Sequence, residues 1–170
     1  MYLDLRAFET FPADAEVEVE TDNLDYESDI VALRDLVRVR LTIQQIGEEF
    51  FCQGQVVAPV EEECDRCLTL FKDELTNDVS FIVKIGEEKS NLTTDDESEN
   101  VIYLKPGEHV VDLRDLVREA IILALPIKPL CDPECKGLCP QCGANLNEET
   151  CECKIEEYDT RWEGLKDLLE

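Results

Sequence analysis

Histidine and positive charge are scarce in this chain. His109 is the single histidine, and 16 Lys and Arg stand against 41 Asp and Glu. With one imidazole, placed beside Pro106-Gly107, no histidine–metal motif can be assembled, and His109 reads as a surface residue. The seven glycines form neither a phosphate-cradling array nor a nucleophile elbow. No apolar run reaches the roughly 18 residues of a membrane-spanning helix. Met1 to Phe11 (MYLDLRAFETF) lacks the basic start and apolar stretch of a secretion signal, so a cytoplasmic protein without membrane contact is expected. Nothing resembles the basic stripe of a nucleic-acid binder. The formal net charge of −25 repels phosphate backbones at long range and draws basic partners, although acidity also serves solubility alone.

What the chain does have is an ordinary hydrophobic content, 44%, and nine cysteines in 170 residues. That length suits one domain, or one domain carrying a small metal module. In a cytosol that keeps thiols reduced, clustered cysteines read as metal ligands rather than as disulfides. Six of them lie between Leu130 and Lys154 (LCDPECKGLCPQCGANLNEETCECK). Cys139-Pro-Gln-Cys142-Gly143 has the two-residue gap that lets both sulfurs face one ion, and Gly137 and Gly143 suit turns needing positive φ. Cys151 and Cys153 supply a second close pair.

Upstream, alternation predicts strands. Leu3, Leu5 and Phe8 suggest a short edge strand, and Ala15 to Glu20 alternates weakly before a polar turn region at Asp22 to Asp29. Val37, Val39, Leu41 and Ile43 alternate with Arg38, Arg40, Thr42 and Gln44, as a half-buried strand requires. Gly47-Glu48 marks a turn, Phe50 to Val60 returns antiparallel, and Glu61 to Cys67 (EEECDRC) connects to a strand within Leu68 to Val83. Glu61-Glu62-Glu63 and Asp95-Asp96-Glu97 read as solvated runs. Gly86 to Asn100 reads as a polar loop and Val101 to Leu104 as a short strand. Asp112 is placed to cap a helix through Leu113, Val117, Ile121 and Ala124, with Leu123 and Leu125 extending its buried surface. Pro126 and Pro129 end it. A last helix is expected over Arg161 to Leu169, with Trp162 as docking anchor. The predicted fold is α+β: an antiparallel β-meander packed by one long helix, residues 1–129, then a cysteine-rich zinc module with a short helix, residues 130–170.

Eight cysteines fall into four close pairs. The economical partition is two zinc ions, one on Cys139, Cys142, Cys151 and Cys153, the other on Cys64, Cys67, Cys131 and Cys135. One ion shared by the 64/67 and 139/142 pairs remains open, and so does iron, because tetrahedral sulfur ligation suits both metals. A thioredoxin-like Cys64-Asp-Arg-Cys67 dithiol belongs at the start of a helix, whereas this segment lies between strands. Unpaired Cys52 reads as a core residue. No catalytic constellation is present, so a non-enzymatic protein is expected.

Three blocks resemble the bacterial YceD family, the large ribosomal RNA subunit accumulation proteins. They are Cys64-Asp-Arg-Cys67-Leu68; Glu119 to Pro129 running into Cys131; and Gly137 to Asn147 with Cys151-Glu-Cys153. Asp159 to Lys166 is similar to the family's closing helix, so the resemblance covers the chain from about Cys64 onward. It implies a small cytoplasmic protein needed for accumulation or processing of large-subunit (23S) ribosomal RNA, with no catalytic residues to carry over. Some members lack the C-terminal cysteines, which implies that zinc is a stabilising staple. The expected partner is a basic ribosomal protein or a pre-ribosomal particle, with the oligomeric state open. Two rivals stand beside it. One is direct contact with RNA through Arg38, Arg40 and Arg66, or through Lys128, Lys136 and Lys154. The other is a redox or metal-transfer protein.

Overall fold

The computed structural model describes residues 1–21, 24, 31–86 and 100–153. Its strands are β1 (Tyr2–Asp4), β2 (Ala13–Glu20), β3 (Val31–Leu33), β4 (Leu36–Ile46), β5 (Glu49–Glu63), β6 (Leu70–Ile85), β7 (Val101–Leu104) and β8 (Val110–Asp112), followed by helix α1 (Arg114–Ala124). The predicted closing helix at Arg161 to Leu169 and most of the predicted loop and turn segments at 86–100 and 22–29 lie outside the described residues.

Strand β4 forms because every second side chain is apolar. Val37, Val39, Leu41 and Ile43 are all buried on one face, while Arg40 and Gln44 face solvent. Gly47, at φ 65°, turns the chain into β5, whose Cys52 and Val56 lie opposite Ile43 and Val39. On the other side of β4, β2 is in register through Val17↔Val39 and Val19↔Val37. The larger sheet runs β2-β4-β5-β6-β7, with β3 paired to the end of β5. The β5–β6 connection, Cys64 to Thr69, is too short for a parallel crossover, so these neighbours are antiparallel.

Three features depart from the expected meander. Strand β7 joins β6 in parallel, Ile82 opposite Val101, because the long stretch after β6 allows the chain to re-enter from the same end. The N-terminal strand β1 leaves this sheet and pairs with β8 in a two-stranded one, Leu3 opposite Val111. Strand β5 also runs through Glu63, so Glu61-Glu62-Glu63 is strand and not connection. Period two turns Glu62 inward, where it is 0% exposed; neither carboxylate oxygen has a hydrogen-bond partner among the described residues.

Helix α1 is short, eleven residues, not the long helix expected over Asp112 to Leu125. Leu113 stands at the N-cap without a side-chain cap bond; Asp112 instead accepts from the Arg114 N–H at 3.1 Å and holds its guanidinium at 2.6 Å. One face, with Val117, Ala120 and Ile121, joins the buried residues of β4, β5 and β6 in a single core. Burying a Val or Ile side chain fully contributes about 1.5–3 kcal/mol. Asn77 on β6 reinforces the packing by donating to the Ala120 carbonyl at 2.9 Å. Leu123, expected to be buried, is 71% exposed, because a helix backed by one sheet hides one face only. No helix among the described residues is long and apolar enough to cross a membrane.

Close approach of β4 and β5 depends on Gly54. A Cβ at that position would stand 1.8 Å from the Arg40 carbonyl oxygen, which no side chain tolerates.

The chain divides into two compact units. One comprises Met1–Glu62 with Phe71–Ile127, and the other Glu63–Leu70 with the chain from Lys128 onward. All eight paired cysteines belong to the second unit.

Candidate metal centre

In the second unit, the two Cys-X-X-Cys segments adopt one backbone design. In the first, Leu68 N–H donates to the Cys64 carbonyl at 2.8 Å and Cys64 N–H donates to the Thr69 carbonyl at 3.0 Å. In the second, Gly143 N–H donates to the Cys139 carbonyl at 2.9 Å and Cys139 N–H to the Ala144 carbonyl at 2.8 Å. Both place the residue after the second cysteine at positive φ, 75° for Gly143 and 55° for Leu68. Glycine reaches that conformation freely, whereas leucine is strained there. Spacing alone reveals the resemblance of the two knuckles, but not that Leu68 substitutes for glycine.

The segments are locked onto their partners by main-chain bonds. Asp65 N–H donates to the Pro129 carbonyl at 2.9 Å, and Leu138 N–H to the Arg66 carbonyl at 3.0 Å. Arg66 also turns its guanidinium onto the Pro133 and Cys135 carbonyls, at 3.2 and 2.8 Å. That use ties one guanidinium nitrogen of a residue considered from the sequence for phosphate contact to the cysteine-bearing segment. Gly137, at φ 77°, passes directly over the Arg66 carbonyl.

These contacts gather the sulfurs of Cys64, Cys67, Cys131 and Cys135 into one group, and those of Cys139, Cys142, Cys151 and Cys153 into another. Within each group all four lie within 4.8 Å of one another. Cys64 and Cys135 sulfurs are 3.8 Å apart, and those of Cys67 and Cys131 are 3.6 Å apart. Zinc–sulfur bonds of about 2.3 Å in a tetrahedron set sulfurs about 3.8 Å apart, so the separation fits a single ion. It is far too long for the roughly 2.05 Å bond of a disulfide. Each group could hold a metal ion through four ligands, which leaves no coordination position for a substrate. The pairs 64/67 and 139/142 fall in separate groups, so the structure does not gather them around one ion.

The thiols within each group titrate apart. Main-chain N–H groups of Cys142 and Gln141 hold the Cys139 thiol down at about 6. Burial works against the Cys64 thiolate, but N–H groups of Cys131, Cys67 and Arg66 outweigh it and also bring this thiol to about 6. The Thr69 hydroxyl and N–H lower Cys67. Cys131 is pushed up to about 12, first by its hydrogen bond to the Cys67 sulfur, and Cys153 up to about 12, first by its bond to Cys142. Crowded sulfurs cannot all ionise without a cation among them. A divalent ion would replace the retained protons, so its binding is coupled to proton release.

Cys135 and Cys139 are buried, whereas Cys131 and Cys142 are exposed. A cavity of about 280 Å³ opens beside Cys67, Cys131 and Cys135, with Asp132, Glu134 and Glu148 at its lining, giving a cation an acidic approach. Asn147 was not anticipated from the sequence: its amide donates to the Cys135 sulfur at 3.2 Å. Neither composition nor ligand spacing marks that asparagine. Cys52 belongs to neither group; it is part of the hydrophobic core of the first unit, and burial raises its thiol to about 11.

Among known proteins, an uncharacterised protein of Mycobacterium tuberculosis (strain H37Rv) is 29% identical over 134 residues, 79% of this chain and 62% of that relative. The chain thus spans about three-fifths of the mycobacterial protein's length. The chloroplastic large ribosomal RNA subunit accumulation protein YCED homolog 1 of Arabidopsis thaliana is 36% identical over 72 residues, 42% of this chain and 22% of the relative. The protein of the same description from Zea mays is 31% identical over 97 residues, 56% and 31% of the two chains. No solved structure matches. The family model described as large ribosomal RNA subunit accumulation protein YceD matches residues 52–169, which include all eight paired cysteines, and the chain belongs to the YceD family.

Proposed function

We propose that this protein is a non-enzymatic ribosome-biogenesis factor of the cytoplasm. An acidic β-domain and a module stapled by two zinc ions together support accumulation or processing of large-subunit ribosomal RNA, by holding a basic ribosomal protein or an assembly intermediate. Family membership supports the ribosomal setting. The closed four-sulfur groups support a structural metal, because a catalytic zinc keeps a position open.

Charge carries the choice of a basic protein over bare RNA. The formal net charge is −25, and four of the arginines are already paired with carboxylates. Arg40 pairs with Glu16, Arg34 with Glu61, Arg114 with Asp112 and Arg118 with Asp115. Exposed pairs of this kind contribute little stability. Each does cancel a positive charge that a phosphate contact would need. At physiological salt, immobilised protein is expected to retain basic ribosomal proteins and to release them as salt rises. Recovery of naked large-subunit RNA without any basic protein would overturn the reading.

Exposure of Cys131 and Cys142 favours metal transfer as the second reading. Iron would colour the protein, and a redox dithiol would titrate reversibly. Colourless protein holding two non-exchanging zinc equivalents excludes both.

A further inference from the structure

Between Cys142 and Cys151 the chain forms a loop whose polar side chains do more than close it. Asn147 uses all three of its amide functions. Its oxygen accepts the Lys136 N–H at 2.8 Å, and its nitrogen donates both to the Asn145 oxygen at 2.9 Å and to the Cys135 sulfur at 3.2 Å. The main-chain donor at Lys136 fixes the orientation of the amide, so the NH2 group and not the oxygen faces the sulfur. Asn145 in turn accepts the Asn147 N–H at 3.1 Å and donates to Glu148 at 3.1 Å. Leu146 N–H ties the same loop to the Gly137 carbonyl at 2.9 Å. A side chain from the loop of one thiolate group therefore touches a sulfur of the other.

We infer that Asn147 is a positioning residue for metal at Cys64, Cys67, Cys131 and Cys135, and that it couples the two metal sites. An N–H donor on a ligating sulfur stabilises the thiolate and sets its direction; such outer partners are worth 10–100-fold in metal affinity. The loop that aims Asn147 has both ends at ligands of the other group, Cys142 and Cys151. An ion there pins both ends, so the ordering that Asn147 needs has already been met when the second ion binds. The coupling is reciprocal: each ion raises the affinity for the other by the same factor.

This inference rests on the two-metal reading, and cobalt(II) titration of the full chain separates the two. Thiolate-to-cobalt absorption counts the sites, and zinc competition against a chelator gives their affinities. Asn147→Ala is expected to weaken the Cys64-containing site about 10–100-fold. Asn147→Asp is the decisive variant. Its carboxylate still accepts the Lys136 N–H and keeps that main-chain anchor, yet it offers no donor to Asn145 or to Cys135 and sets negative charge against the Cys135 sulfur. It is expected to weaken the site at least as much as alanine. Asn145→Ala, which breaks the loop bond but leaves the donor to Cys135, should weaken the site less. Cys142→Ser with Cys153→Ser should weaken the remaining site by a similar factor, and adding Asn147→Ala should then change little. Wild-type affinity in Asn147→Asp, or losses that simply multiply, would overturn the coupling. Wild-type protein binding fewer than two ions would instead refute the two-metal reading.

Discussion

Gly137 and Gly143 share a backbone conformation, φ 77° and 75°, but not a setting. A Cβ on Gly143 would meet nothing within 4 Å, whereas one on Gly137 would stand 2.9 Å from the Arg66 carbonyl oxygen and 3.3 Å from the Arg66 Cβ. Alanine at either position carries a left-handed penalty of about 1–2 kcal/mol. That is partly offset by the roughly 0.4–1 kcal/mol gained when alanine restricts the unfolded chain. Gly143→Ala should therefore cost about 1 kcal/mol. Gly137→Ala must in addition push back an oxygen that accepts the Leu138 N–H at 3.0 Å. Loss of that bond adds about 1 kcal/mol, and up to about 3 if a buried group is left unpaired, for a total of about 2–4 kcal/mol. Urea unfolding in excess zinc, with unchanged denaturant slope, measures both variants against wild type. Arg66 lies between Cys64 and Cys67, so Gly137→Ala should also release metal to a chelator faster than Gly143→Ala. Equal costs for the two alanines would refute the packing of Gly137 on Arg66.

Gly54→Ala would drive a Cβ into the backbone of β4 and is expected to cost about 3 kcal/mol or more, read as a lowered urea midpoint. Leu68→Gly should stabilise by about 0.5–1 kcal/mol, because it relieves the 55° φ of a 57% exposed leucine; unchanged or lower stability would contradict strain at this position. Glu62→Met should stabilise by about 1–3 kcal/mol by removing a buried carboxyl that has no hydrogen-bond partner among the described residues. Burial, then the neighbouring Asp73 charge, raises the Glu62 pKa above 4.5 in the folded state. Its protonated form is thus favoured by folding below that value, and the advantage is lost as pH rises through the folded pKa. The gain of Glu62→Met over wild type should accordingly widen from acid toward neutral pH in paired unfolding curves; a gain independent of pH would show that Glu62 is solvated.

Period two makes β4, β5 and the inward Cys52 legible in the sequence, because alternation is a local property. It is equally informative at Glu61-Glu62-Glu63, where three like charges outweigh the pattern and conceal a buried glutamate. Proline and glycine mark the helix end and the knuckle turns. The extent of α1 is overestimated from sequence because apolar residues at Leu123 and Leu125 extend the helical stripe beyond the surface the sheet can cover. The grouping of Cys64 and Cys67 with Cys131 and Cys135 depends on residues more than sixty positions apart and on backbone bonds such as Leu138 to Arg66, which no local spacing encodes.

The hexapeptide LRDLVR separates the two levels. At Leu33–Arg38 it spans the end of β3, a turn with Asp35 at φ 55°, and the start of β4; at Leu113–Arg118 it opens α1. Val37 and Val117 are 0% exposed in both settings. The residue types alone determined that valine would be buried and that clustered cysteines would face one another across short turns, since hydrophobicity and ligand spacing belong to the side chains. Whether the backbone reached that burial as strand or as helix was decided by the surface it packed on, as was the choice of which distant sulfurs meet. Those choices reflect free energies of long-range contacts, which exceed the small local preferences of six residues.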